Sequence, residues 1–163
     1  MSINKIINWI KQYAIDNNRT SLVVGISGGI DSSVVSTLCA KTEIEVHVVS
    51  MPINQISSQH DLSLAHGNWL INKFPNVTHT IIDLSEVYKI FNNLMEKEYD
   101  SEHSFANSKS RLRMMALHQI SGSKSGLVVG TGNKVEDFGV GFFTKYGDGG
   151  VDISPIADLM KTE

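Results

Sequence analysis

The chain alternates between short, nearly continuous apolar runs and longer segments in which apolar residues recur every three or four positions. The continuous runs predict β-strands, which would lie at 21–26, 44–50, 77–83 and 126–130. The helical spacing predicts α-helices at 2–17, 31–41, 84–97 and 107–120, with a further helix that starts at 57–61. Strands and helices that alternate in this way are typical of an α/β fold. We expect a Rossmann-like parallel sheet with helices on both faces.

Less regular parts of the pattern give finer expectations. Residues 98–106 are polar and irregular, so we expect a surface loop there, followed by a helix that Asn107 caps. Trp9 and Trp69 fall on the apolar faces of their helices and are expected in the core. Residues 139–158 are rich in glycine and have no clear periodicity. Because this segment follows a strand edge, where parallel sheets bind ligands, we expect it to cover a ligand.

A glycine-rich turn, Ser27–Ser33, joins the first strand to the second helix. Its glycines let backbone N–H groups approach an oxyanion closely, and the helix N-terminus adds the positive end of its dipole. The turn lacks the lysine of the common NTPase loop, but it contains Asp31. A carboxylate beside a polyphosphate needs a bridging cation, and Mg²⁺ supplies one. The turn therefore predicts a site for pyrophosphate and Mg²⁺, although Asp31 could instead only stabilise its helix.

Composition narrows the classes of protein that the chain can represent. A chain of 163 residues that is 41% apolar can bury one core, so we expect a single domain over 1–163. A net charge of −3 without a basic tract argues against a nucleic-acid partner. The one cysteine, Cys39, is expected to be a small buried side chain and excludes an internal disulfide. Since no segment resembles a membrane span or a signal peptide, we expect a soluble cytoplasmic protein.

Two parts of the chain resemble known families. The Ser-Gly-Gly-x-Asp-Ser turn resembles that of the ATP pyrophosphatases, which cleave ATP between its α- and β-phosphates and include GMP synthetase and asparagine synthetase. Segments 129–136 and 141–156 are similar to the NAD synthetases, and they read VGTGNKVE and GFFTKYGDGGVDISPI. The resemblance covers residues 2–163 and implies an adenine nucleotide alpha hydrolase-like fold.

The resemblance implies a ligase that joins ammonia to the carboxylate of deamido-NAD, with ATP as co-substrate and Mg²⁺ as cofactor. ATP would adenylate the carboxylate and release pyrophosphate, and ammonia would then displace AMP. A homodimer with deamido-NAD bound across its interface is also implied. Because family members continue beyond the lysine that Lys161 matches, we expect a C-terminally truncated chain. The alternatives are a GMP synthetase-like amidotransferase and an inactive nucleotide-binding fragment.

The resemblance also assigns roles to individual positions. For ATP it implies Gly25, Ile26, Ser27, Gly28, Gly29, Ile30, Asp31, Ser32, Thr131 and Lys161. For deamido-NAD it implies Arg111, Lys145 and Asp152, for Mg²⁺ Asp31 and Glu136, and for catalysis Asp31 and Lys145. The stretch from Glu136 to Lys145 is longer than the family pattern by a residue, so Asp137 is an alternative metal ligand. An arginine that relatives carry just before the proline after strand two is absent at Ser50-Met51-Pro52.

Overall fold

Four short strands form a parallel sheet in the order β3-β2-β1-β4. The strands are β1 Ser21–Gly25, β2 Glu45–Ser50, β3 Val77–Ile81 and β4 Gly126–Val128. The register pairs Val23 of β1 with His47 of β2 and with Val128 of β4. This computed structural model describes residues 2–54, 57–95, 97–139 and 141–162. Since β1 has a neighbour on each side, the turn that follows it lies in the middle of the carboxyl edge of the sheet.

Helices cover both faces of the sheet. They are α1 Ile3–Asp16, α2 Ile30–Ala40, α3 Ser57–Lys73, α4 Ser85–Leu94, α5 Glu102–Ser123 and α6 Lys134–Phe138, with a 3-10 turn at Lys97–Tyr99. Apolar side chains of α1, α2 and α3 pack on one face, and those of α4 and α5 pack on the other. The α/β architecture predicted from the sequence is therefore confirmed.

The central strand shows why the sheet forms the core. Leu22 and Val24 of β1 point to the layer of α1, α2 and α3, Val23 points to the opposite layer, and all three are fully buried. A strand buried on both faces is a continuous apolar run, which is the pattern that predicted β1. Cys39 of α2 is buried in the same core as expected. Burial raises the pKa of its thiol to about 12, so the thiol stays protonated at neutral pH and is a poor nucleophile.

The expectation of a loop at 98–106 is wrong for its second half. Helix α5 begins at Glu102, because the Ser101 hydroxyl accepts a hydrogen bond from the Ser104 N–H and caps the helix. Asn107 therefore lies inside the helix and does not cap it. Three other elements end two or three residues earlier than predicted: strand 77–83 at Ile81, helix 84–97 at Leu94 and strand 126–130 at Val128.

Both tryptophans lie at the surface instead of in the core. Trp9 is 44% exposed and Trp69 is 42% exposed. Trp69 stacks on His66, and the ammonium of Lys73 lies 4.9 Å from its ring centroid. A large indole ring can cover an apolar helix face while one side stays in water, and residue spacing does not separate this case from full burial.

Six residues lie outside the described part of the chain: Met1, Gln55, Ile56, Glu96, Val140 and Glu163. Some expectations from the sequence fall on them. They include the ends of the predicted domain 1–163, one position of helix 84–97 and one of segment 139–158. The single domain stays a prediction. Among the described residues, no helix has both the length and the apolar character that crossing a membrane requires.

Candidate active site

The turn between β1 and α2 is held in shape by its own serines. Gly28 has a φ of 85°, in the left-handed region that a residue with a Cβ adopts only with strain. The Ser27 hydroxyl accepts a hydrogen bond from the Gly29 N–H at 3.2 Å, and the Ser32 hydroxyl donates to the Gly29 carbonyl at 3.0 Å. The Ser27 N–H donates to the Ser32 hydroxyl oxygen at 3.2 Å. The turn is therefore preformed at the N-terminus of α2, as a phosphate site requires.

Three charged side chains from distant parts of the chain meet beside this turn. Asp31 lies in the first turn of α2, Glu136 lies in α6, and Lys161 follows the last helix. The Lys161 ammonium is 2.7 Å from Oε1 of Glu136 and 3.7 Å from Oδ2 of Asp31. The hydrogen bond and charge of Glu136, followed by the charge of Asp31, raise the pKa of Lys161. Two carboxylates thus share one cation at the predicted phosphate site.

The donor set at this point fits Mg²⁺. The Lys161 ammonium stands where a cation can neutralise both Asp31 and Glu136. Within the described residues there is no cluster of three or more His, Cys, Asp or Glu side chains that could hold a metal ion. A divalent ion here would take oxygen ligands from the two carboxylates and complete its shell with water or phosphate oxygens. Mg²⁺ is usually bound in this way.

Asn133 connects the Asp31 carboxylate with the first turn of α6, which carries Glu136, a role that the sequence analysis missed. Its side chain is 1% exposed, and its Oδ1 accepts hydrogen bonds from the N–H groups of Val135 and Glu136, so Asn133 caps α6. Its Nδ2 donates to Oδ1 of Asp31 at 3.3 Å. The signal was present in the sequence, because Asn followed three residues later by Glu is typical of a helix start.

Asp137, the alternative metal ligand, lies in a different environment from Glu136. A Cβ at Gly132 would stand 2.2 Å from Oδ1 of Asp137, so the carboxylate lies directly against the glycine backbone. Burial, followed by the charges of Asp148 and Glu136, raises the pKa of Asp137. Glu136, by contrast, shares Lys161 with Asp31. The geometry therefore favours Glu136 for the metal.

Side chains of α5 fasten the glycine-rich segment to the edge of the sheet. The hydrogen-bonded pairs are Asn107 with Thr144, Ser110 with Asp148, the Arg111 Nε with the Lys145 carbonyl, and His118 with the Gly150 carbonyl. A Cβ at Gly147 would stand 2.4 Å from the Ser110 hydroxyl oxygen, so only glycine permits this close approach. The segment is thus anchored to α5 by side-chain contacts.

A cleft of about 1020 Å³ lies between this segment and the phosphate turn. Its walls include Ser27, Arg113, Thr131, Gly132, Glu136 and Asp148. The volume is at the upper end of what small-molecule sites enclose. It therefore has room for a nucleotide.

A model of the NAD synthase family matches residues 2–163, which is nearly the whole chain. The chain belongs to the NAD synthase family. It is 40% identical to the NH(3)-dependent NAD(+) synthetase of Saccharolobus solfataricus over 98% of this chain and 56% of that protein.

Two solved structures of similar proteins agree with the family assignment. The NH3-dependent NAD synthetase of Campylobacter jejuni has a TM-score of 0.87 at 32% identity, covering 99% of this chain and 68% of that one. The NMN synthetase of Francisella tularensis has a TM-score of 0.87 at 30% identity, covering 98% and 65%. The chain thus spans a little over half the length of the Saccharolobus relative and about two thirds of each solved structure.

The residues that the family resemblance implies for deamido-NAD fall in two places. Arg111 and Lys145 are exposed neighbours, and the Lys145 ammonium lies 5.0 Å from the ring centroid of Tyr146. Asp152 lies beside β4, where its Oδ2 accepts a hydrogen bond from the Val128 N–H at 2.7 Å. In this member of the NAD synthase family, one carboxylate oxygen of Asp152 is therefore occupied by a hydrogen bond from the chain's own backbone.

Arg113 is a basic residue of the cleft that the sequence analysis assigned no role. Its Nε donates to the Met51 carbonyl at 2.9 Å, and burial lowers the pKa of its guanidinium. Among the described residues, no carboxylate lies within ion-pair distance of it. Met51 precedes Pro52, at the place where the family resemblance implies an arginine that this chain lacks. The sequence contained a signal for this position, because Arg111 and Arg113 are two residues apart in a helix and therefore point to different sides. If Arg111 is exposed, Arg113 points inward.

Proposed function

We propose that the protein is an ammonia-dependent NAD synthetase. In this reaction the deamido-NAD carboxylate attacks the α-phosphorus of ATP, which forms an acyl-adenylate and releases pyrophosphate. Ammonia then attacks the acyl carbon, so that a C–N bond forms, the bond to AMP breaks, and NAD and AMP leave. Family membership and the 40% identity to an NH(3)-dependent NAD(+) synthetase support the proposal.

The meeting of Asp31, Glu136 and Lys161 beside the phosphate turn carries this proposal. These groups come from α2, from α6 and from the segment after α6, and they converge beside the N-terminus of α2, where the phosphate turn ends. An anion that bears several charges is bound best where backbone N–H groups, a cation and a metal site lie together. A triphosphate that loses pyrophosphate is such a ligand.

Each charged residue takes a role in this scheme. Asp31 and Glu136 hold Mg²⁺, which when bound spreads the negative charge of the phosphates. Lys161 contacts ATP, and so do Thr131 and the residues of the phosphate turn. Because the reacting carboxylate belongs to the substrate, no side chain is needed as a nucleophile, and positioning supplies much of the rate.

Deamido-NAD binds at the outer side of the cleft. Arg111 and Lys145 supply two exposed cations for its diphosphate and carboxylate groups, and Asp152 accepts hydrogen bonds from it through Oδ1. Lys145 thereby holds the substrate carboxylate near the ATP α-phosphate. The hydrogen bond from Arg111 to the Lys145 carbonyl fixes the spacing between these two positions.

A homodimer forms part of the proposal, and the outer face of α4 supports it. Val87, Ile90, Phe91 and Leu94 share one side of this helix, and Ile90 and Leu94 are 61% and 71% exposed. Their spacing gives the apolar stripe by which a helix packs against a partner. We propose that a second copy of the chain packs against this stripe.

The cytoplasmic location stays a prediction.

The test is a direct assay of products. The protein is incubated with Mg-ATP, ammonia and one carboxylate at a time: deamido-NAD, nicotinate mononucleotide or xanthosine monophosphate. We expect AMP, pyrophosphate and NAD in equal amounts with deamido-NAD alone. AMP release with xanthosine monophosphate alone would instead support a GMP synthetase-like enzyme. Mg-ATP binding without AMP release in any mixture would support the inactive nucleotide-binding fragment.

A further inference from the structure

A row of four hydrogen-bonding groups runs from the edge strand β3 to the start of the phosphate turn. His79 Nε2 lies 2.9 Å from the Ser50 hydroxyl oxygen, which lies 2.6 Å from the Ser63 hydroxyl oxygen. The Ser63 hydroxyl donates to the Ile26 carbonyl at 2.9 Å. Ser50 and Ser63 are both buried. The row connects β3, β2 and α3 with the residue that precedes Ser27.

The direction of every hydrogen bond in this row follows from its last member. A carbonyl oxygen can only accept, so the Ser63 hydroxyl gives its single hydrogen to Ile26. Ser63 must then accept from the Ser50 hydroxyl, and Ser50 must accept from an N–H at Nε2 of His79. Burial lowers the pKa of His79, so the imidazole is neutral near pH 7. The row therefore requires the His79 tautomer with its proton on Nε2.

Gly67 of α3 provides the space in which the His79 ring lies. A Cβ at Gly67 would stand 2.3, 2.4 and 2.7 Å from three atoms of this ring. These distances are below any real Cβ contact, so the imidazole lies directly against the α3 backbone. The position of the ring is therefore fixed by its packing as well as by its hydrogen bond to Ser50.

The last hydrogen bond of the row acts on the first peptide of the phosphate turn. The Ile26 carbonyl and the Ser27 N–H belong to one planar trans peptide group and point in opposite directions. A hydrogen bond that fixes the carbonyl therefore fixes the N–H as well. In the structure that N–H points to the Ser32 hydroxyl inside the turn.

We propose that His79 is a positioning residue, which acts through Ser50 and Ser63 to hold the Ile26–Ser27 peptide in the orientation that phosphate binding requires. This inference rests on the proposed function, in which the turn binds ATP. Without the row, the peptide can rotate and the Ser27 N–H leaves the turn. The loss falls on the affinity for ATP and leaves the affinity for deamido-NAD unchanged.

The tautomer is measured first. ¹⁵N NMR of the histidine rings at neutral pH should show the proton of His79 on Nε2. A proton on Nδ1 would overturn the proposal, because Ser50 would then have no donor. This measurement needs neither activity nor ATP.

Mg-ATP binding is then measured by calorimetry on variants of the whole chain. Since one hydrogen bond is lost, His79→Phe and Ser63→Ala should each weaken binding by about three- to tenfold. The double variant should be no weaker than either single variant. His79→Gln, which keeps an N–H donor, should bind within about twofold of wild type. His103→Phe, at an exposed position of α5, is the matched control and should bind as wild type.

The outcomes separate the two hypotheses. If the wild-type chain binds Mg-ATP and folded Ser63→Ala binds it equally well, the role of His79 is refuted while the proposed function stands. If the wild-type chain does not bind Mg-ATP, the proposed function fails whatever the tautomer. Should His79→Phe not fold, Ser63→Ala and the tautomer still decide the question.

Discussion

Asn133 offers a substitution that separates helix capping from support of the metal site. Its Oδ1 caps α6, while its Nδ2 donates to Asp31. Asn133→Ala removes both contacts. Asn133→Asp keeps an oxygen that can cap α6, but it replaces the donor to Asp31 by a second carboxylate. Comparison of the two variants therefore isolates the contact between positions 133 and 31.

The magnitudes follow from burial and distance. Loss of the cap costs about 1 kcal/mol, and the part-buried Val135 N–H that it leaves unpaired adds about 1–3 kcal/mol, whereas the Glu136 N–H keeps the Asn133 carbonyl as acceptor. In Asn133→Asp, two carboxylates about 4 Å apart repel by about 4 kcal/mol at an effective dielectric constant of about 20. This is an upper bound, because Lys161 lies 3.7 Å from Asp31 and offsets part of the repulsion. We therefore expect a loss of about 2–4 kcal/mol for Asn133→Asp at neutral pH.

The two losses differ in their dependence on pH and Mg²⁺. Repulsion raises the pKa of the carboxyl pair in folded Asn133→Asp, so protonation at lower pH relieves it. The deficit of Asn133→Asp should thus shrink between pH 7.5 and pH 5 and on addition of Mg²⁺, while that of Asn133→Ala should stay constant. Urea unfolding at both pH values measures this. Equal and pH-independent losses in the two variants would refute the reasoning.

Four further predictions concern separate parts of the molecule. Gly28→Ala should cost about 1–2 kcal/mol of stability and weaken Mg-ATP binding, because φ is 85° there; calorimetry that shows unchanged affinity would contradict this. Lys161→Met should strengthen Mg²⁺ binding without ATP by about two- to tenfold, since a competing cation is removed; Mn²⁺ titration followed by electron spin resonance tests it, and weaker binding would count against a shared site. Ile90→Glu should convert a dimer into a monomer by light scattering, whereas a persistent dimer would place the interface elsewhere. Burial lowers the pKa values of His66 and His79 from 6.5, so the unfolded chain binds more protons than the folded chain. The free energy of unfolding should therefore fall as the pH drops below about 6.5. If the double variant His66→Gln/His79→Gln shows the same dependence of unfolding free energy on pH as wild type, these residues are not its source.

The sequence predicted the sheet well because local pattern and tertiary position agree there. Leu22, Val23 and Val24 are consecutive apolar residues, and β1 is buried on both faces. The phosphate turn could also be predicted from the sequence, because a turn of glycine and serine residues between a strand and a helix is typical of a phosphate site. Helix α5 was predicted too short, since its first turns are polar and the Ser101 cap is a single residue in a polar stretch.

The site was only partly predictable, because its geometry depends on contacts between distant residues. The resemblance pointed to Asp31, Glu136 and Lys161, but not to the ion pairs that join them. The residue spacing carried signals for the inward position of Arg113 and for the cap by Asn133, but neither signal shows which distant group the side chain contacts. His79 had no signal at all, because a polar side chain on an edge strand is ordinary and its partners Ser50 and Ser63 lie in other elements.

The fastening of the glycine-rich segment to α5 also limits how the protein can evolve. Ser110 and Asp148 exchange two hydrogen bonds across 38 positions of sequence, with Gly147 packed between them. A change at either position alone leaves a polar group without its partner, so drift at one site restricts what the other tolerates. Positions 110 and 148 should therefore co-vary among homologues, and a lineage that alters one will be rescued most readily by altering the other.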